Sequence, residues 1–305
     1  MRWRTNRRSS NVEDRRGMRT AGMRGLGGGD GGILRLLPVA IRFLGIKGTM
    51  IAVVAILAFG FFTGNLQQIL GGGSFETTQQ ETPSKTVSQS AEEKELVEFV
   101  SVVLADTEET WHEIFQQSGN TYQEPRLVLY RGAVQSGCGF GSAQMGPFYC
   151  PADQKVYIDL GFYDDLAKRH NAPGDFAQAY VLAHEVGHHV QTLTGISQQV
   201  QKAKQGVNKT DANKLSIMQE LQADCFAGVW AHHADKSRQL LEAGDIEEGL
   251  AAASAIGDDR LQKQAKGYVT PDSFTHGSSE QRVRWFKIGL KKGTFKGCDT
   301  FSVMN

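Results

Sequence analysis

His184-Glu185-Val186-Gly187-His188 lies inside an apolar run, Phe176 to Leu193, whose spacing predicts a helix. Residues four apart share a helical face, so the two imidazoles project together about one turn apart. Two imidazoles in that arrangement can hold one zinc ion, and Glu185 stands beside them to take a proton from water at the metal. A pattern this short arises by chance in roughly one chain in a hundred of this length, so the rest of the chain must supply the missing ligand. The plain alternative is a core helix with two hydrogen-bonded histidines. Phe176, Tyr180, Val181 and Ala183 give the helix an apolar face. Gly187 is a poor helix former, but it would let another helix or a metal site approach closely.

A catalytic zinc needs a third protein ligand and an open position. One continuation of the motif requires Gly at 191 and His at 194; Gln191 and Thr194 exclude it, and the inverted order HxxEH is absent. A third variant takes a Glu from a later helix, and Glu220-Leu221-Gln222-Ala223-Asp224 fits it. Glu220 would complete a two-His, one-Glu set. Asp224, one turn on, could accept a hydrogen bond from the non-coordinating nitrogen of a ligand histidine. A solvated acidic face is the bland reading of the pair. Leu221, Ala223, Cys225, Phe226, Ala227 and Trp230 make an odd setting for two unneeded carboxylates.

With both motifs in view, the chain resembles the gluzincin group of zincin-like metallopeptidases, and within it the bacterial neutral zinc metallopeptidase (YpfJ-like) family. Shared stretches include Gly146 to Pro151, Val156 to Asp159 and Thr275 to Arg282, and the resemblance covers most of the chain. It implies a zincin-like α+β domain and peptide-bond hydrolysis, more as an endopeptidase than an exopeptidase. It also implies an edge strand that pairs with extended substrate, for which Val156 to Asp159 is the candidate. In resembling peptidases a His or Tyr opposite the metal steadies the oxyanion; His276 is the candidate here, with Arg282 a weaker one. Ser278 with Gln281 forms a capping-box pattern that would place His276 just before a helix. His189, His232 and His233 read as surface or packing residues.

The N-terminal third bears on location. In residues 1–47, eleven Lys/Arg stand against three Asp/Glu, which leaves +8, and the neutral chain therefore carries −8 in residues 48–305. An uncharged run from Gly48 to Gly64 follows and reads as a transmembrane signal anchor over 48–66. Positive charge before it predicts a cytoplasmic N-terminus, a basic arm touching anionic lipid, and a domain in the periplasm or outside the cell. The arm therefore reads as a topology determinant, and no nucleic-acid partner is expected. Residues 67–94, rich in Gly, Ser, Thr and Gln, read as a flexible tether. The Gly-rich stretch 25–32 lacks the ending of a phosphate-binding loop.

Residues 95–305 suffice for one domain with a core. Helical spacing marks 95–117, 161–170, 175–194, 212–235, 245–266 and 280–291, and strands are expected at 126–130 and 155–160. The result is a mostly helical α+β architecture with a small sheet. Cys138, Cys150, Cys225 and Cys298 allow three pairings; 138–150 and 225–298 are favoured, and no CxxC spacing supports a second zinc site. The reading is a membrane-anchored, one-zinc metallopeptidase with Glu185 as general base, acting on peptide or protein substrate. The alternative is a non-catalytic, zinc-stabilised envelope interaction module.

Overall fold

The computed structural model describes residues 1–18 and 90–302. Its four-stranded sheet runs in the order β1 (Val12–Asp14), β2 (Arg126–Tyr130), β6 (Lys155–Asp159), β5 (Phe148–Cys150). The first three strands are parallel, and β5 is antiparallel to β6. Strands β2 and β6 are buried at nearly every position, as parallel strands covered on both faces must be. A hairpin of β3 (Ala133–Ser136) and β4 (Gly139–Ser142) leads to β5.

Eight helices occur among the described residues. They are α1 (Ala91–Gln117), α2 (Gly161–Lys168), α3 (Asp175–Leu193), α4 (Ile196–Lys204), α5 (Lys209–Lys236), α6 (Asp245–Ala255), α7 (Asp258–Lys266) and α8 (Ser279–Lys292). The mostly helical α+β reading holds. Helix α5 runs through the core, where Trp230 stacks on Phe176 of α3 and donates to Asp106 of α1 at 2.7 Å. The Ser278–Gln281 capping box opens α8. Two glycines set the crossings that build the site. A Cβ on Gly187 would lie 3.0 Å from the Ala223 carbonyl, and one on Gly289 would lie 1.9 Å from that of Cys225, so α3 and α8 both close tightly on α5.

Three expectations change. The single helix expected over 245–266 is two, because Asp258 begins a new one and turns its carboxylate to the amides of Thr275, His276 and Gly277. Val156–Asp159 is no edge strand: β6 is hydrogen-bonded on both sides, by β2 and by β5, and among the described residues β1 and β5 are the outer strands.

The third change concerns the basic arm. Residues 1–18 belong to the same compact unit as helices α1 to α8. Their strand β1 pairs with β2, Trp3 is buried against Phe99, and the arginines meet the acidic face of α1. Arg4 pairs with Glu95, Arg7 with Glu108, Arg8 with Glu98, and Arg16 with Glu93. The Met1 ammonium sits among Asp175, Glu242 and Asp245. The charge asymmetry between the ends of the chain is thus partly an intramolecular match.

A membrane between the N-terminus and the domain would break the β1–β2 ladder. The expected span at 48–66 lies outside the described residues, and among those described no helix is long and apolar enough to cross a membrane. Thr5 and Lys236 are exposed and all four cysteines are in disulfides, so single Thr5→Cys and Lys236→Cys variants can be labelled cleanly. A membrane-impermeant maleimide applied to intact cells should label both or neither. One site reacting only after the cells are opened would contradict the shared side.

Candidate metal centre

Helix α3 delivers His184, Glu185 and His188, and α5, crossing it at Gly187–Ala223, delivers Glu220 and Asp224. Ligand atoms of His184, His188 and Glu220 all lie within 4.8 Å of one another. His184 Nε2 is 3.2 Å from Glu220 Oε2, and His188 Nε2 is 3.5 Å from Oε1. The remaining nitrogen of each ring is occupied. His184 Nδ1 lies 2.7 Å from Asp224 Oδ1, and His188 Nδ1 lies 2.9 Å from Gln191 Oε1. Both rings therefore turn their Nε2 atoms to one point, which is the donor arrangement a zinc ion with two His and one Glu requires.

The electrostatics draw positive charge to that point. Burial opposes a charge on His184, but the Asp224 and Glu220 carboxylates raise it to about 10. His188 is shifted upward against burial by Glu220. Glu220, although buried, is held well below the usual carboxylate range by His188 and His184. A cation competing with protons for these nitrogens meets an anionic carboxylate already in place.

Asp224 is fully buried and has two partners besides the ring. Arg282 grips both its oxygens at 2.8 Å, and the Tyr180 hydroxyl donates to Oδ1. Burial works against ionisation of Asp224, yet Arg282 and His184 bring it down to about 2. Arg282 also donates to the Ile256 carbonyl at 3.2 Å and lies 3.3 Å from the Tyr180 hydroxyl. Arg282 lines the cleft as well, but most of its donors are engaged inside the protein, where it holds Asp224. Sequence reading left Tyr180 as an apolar-face residue. Its place one turn before His184 was the signal available.

Glu185 lines the same cleft and, among the described residues, accepts no hydrogen bond. His276 lines it too, with a half-exposed side chain whose Nδ1 is 3.1 Å from Asp258 Oδ1. That hydrogen bond raises His276, and burial opposes it. The cleft, about 1020 Å³, has an apolar wall including Met145, Phe148, Phe162, Val181 and Leu261, and an amide-rich wall on α4 with Gln198 and Gln201. Its roof is the loop 143–151 that ends in β5, stapled to the hairpin by Cys138–Cys150. The second favoured pair, Cys225–Cys298, is also present and ties α5 to the C-terminal segment. His189 packs as expected. Fully buried and shifted by that burial down to about 4, it bonds the Gln123 carbonyl at 2.6 Å and the Tyr149 hydroxyl of β5 at 3.0 Å. His232 and His233 bond carbonyls at the end of α8.

With this geometry established, the comparisons decide the family. The family model described as "Putative neutral zinc metallopeptidase" matches residues 1–301. The chain belongs to that family. It is 48% identical over 301 residues to the uncharacterized protein YpfJ of Escherichia coli, covering 99% of both chains. It is 37% identical over 244 residues to the uncharacterized protein Mb2605 of Mycobacterium bovis, which spans 77% of this chain and 82% of that one. No solved structure matches it. Zinc is the metal the family implies.

Proposed function

We propose that this family member is a zinc-dependent peptidase that cleaves internal bonds of extended peptide segments, with His184, His188 and Glu220 as ligands. The observation that carries the reading is the convergence of the two Nε2 atoms and the Glu220 carboxylate in an open cleft, beside a Glu185 that accepts no hydrogen bond among the described residues. A purely structural zinc site has no use for such a carboxylate beside its ligands and closes its fourth position.

Zinc, when bound, supplies Lewis acidity toward a peptide carbonyl and acidifies water. Glu185 then takes the proton of the attacking water and passes it to the leaving amine. His276, whose Nδ1 is held by Asp258 at 3.1 Å, is the group placed to donate to the carbonyl oxygen as negative charge grows there. The outer edge of β5, unpaired among the described residues and preceded by Gly146 and Pro147, offers backbone groups to an extended substrate. Asp224, with Arg282 and Tyr180 behind it, keeps the His184 ring oriented.

The two disulfides support an oxidising compartment for the domain, with residues 1–18 on the same side. The test is a zinc titration of the full chain joined to a peptide-library cleavage screen with and without chelator. A fragment starting near Glu95 lacks β1 and would uncover the β2 edge, so the full chain is required. One zinc per chain and chelator-reversible cleavage are expected. One zinc with no cleavage would favour the interaction module instead.

A further inference from the structure

Gln191 is the residue whose place the motif rules do not explain. It is fully buried one turn beyond His188. Its Nε2 donates to the Gln219 carbonyl at 2.7 Å and to Gln222 Oε1 at 3.0 Å. Gln222, also buried, turns its own Nε2 to the Cys298 carbonyl at 3.0 Å. Each amide is oriented by these contacts. The Gln219 and Cys298 backbone carbonyls can only accept, so Gln222 must place its NH₂ on Cys298 and present Oε1 to Gln191. Gln191 must then place its own NH₂ on Gln222 and Gln219, which leaves Oε1 facing His188 Nδ1 at 2.9 Å. The His188 proton is therefore on Nδ1, and the Nε2 lone pair points at the metal position.

We infer that Gln191 is the positioning residue of His188, and that the chain Cys298–Gln222–Gln191 ties this ligand to the C-terminal segment held by the Cys225–Cys298 disulfide. The inference rests on the zinc reading of the site. The two histidines are thus held differently. His184 leans on a carboxylate neutralised by Arg282, which reaches it from α8. His188 leans on a neutral amide relay that starts at a backbone carbonyl fixed by a disulfide. A neutral acceptor orients the ring without adding a second buried charge.

The test replaces Gln191 by Leu, which is close in size and can neither donate nor accept. Zinc affinity of the full chain is measured by chelator competition, and the ring tautomers are read from imidazole ¹⁵N shifts. Gln191→Leu should weaken zinc binding by about 10- to 100-fold and lose the Nδ1–H signature of His188 while that of His184 stays. Gln222→Leu should move both readouts the same way by a smaller factor. An unchanged affinity with an unchanged His188 signature in Gln191→Leu would overturn the assignment. Should Gln191→Leu unfold, Gln222→Leu carries the test by the same two readouts, and no change in either overturns the relay. Failure of the parent protein to bind zinc would instead remove the site reading itself, so the two failures are distinct.

Discussion

Glu185→Gln should keep its zinc and its fold while kcat falls by about 10²- to 10⁴-fold, the range a positioned general base contributes. The side chain lies in the cleft and accepts no hydrogen bond among the described residues, so an isosteric amide disturbs no partner there. Glutamine cannot take a proton from water, however, and cannot return one to the amine. KM should change little, because the loss falls on the transition state and not on substrate binding. Zinc content measured beside peptide cleavage checks both halves of the statement. Cleavage at the parent rate would end the mechanism. Loss of zinc together with activity would mean that Glu185 helps hold the metal.

The second large effect is on stability. Arg282→Met should lower the folding free energy by about 3–5 kcal/mol, the cost of stranding one partner of a buried ion pair. Asp224 and Arg282 are both buried, and the guanidinium holds both carboxylate oxygens. Without it, the carboxylate must stay charged with only Tyr180 and His184 for company, or take up a proton and loosen its hold on His184. For a domain of this size, the loss amounts to about 6–20 °C in melting temperature at about 2–4 °C per kcal/mol. Zinc affinity should fall as well, since His184 loses a fixed partner. Adding Asp224→Asn should recover part of the stability, because it removes the stranded charge, and should recover little of the zinc affinity. Calorimetry of the two single variants and the double variant measures this coupling directly. Additive losses would show that the pair is not a unit.

The ligands were legible because helix geometry makes four-residue spacing a spatial statement. His184 with His188, and Glu220 with Asp224, needed only the knowledge that they sit on helices. The structure brings those four side chains together. The capping box at Ser278 was legible for the same reason: it is local. Strand β1 was not. Val12-Glu13-Asp14, followed by two arginines, looks like solvated chain until β2 and the acidic face of α1 are set beside it. Strand order was equally hidden, since Val156–Asp159 and Phe148–Cys150 are both short apolar runs and only the hydrogen-bonded ladder shows which one is an outer strand among the described residues.

What the amino-acid order determined alone, then, is what lies within one or two helical turns: the two-histidine face, the acidic pair, the caps and the glycine at which helices can touch. What the tertiary structure decided is who faces whom. Arg282 meets Asp224 and Gln191 meets Gln222 because α8 and α3 both close on α5 at contacts too tight for a Cβ. The N-terminal eighteen residues join the domain because their strand and charges find partners far along the chain, Val12 at Leu127 and Glu13 at Lys155. Such contacts depend on how helices and strands cross, and no periodicity in the chain records a crossing.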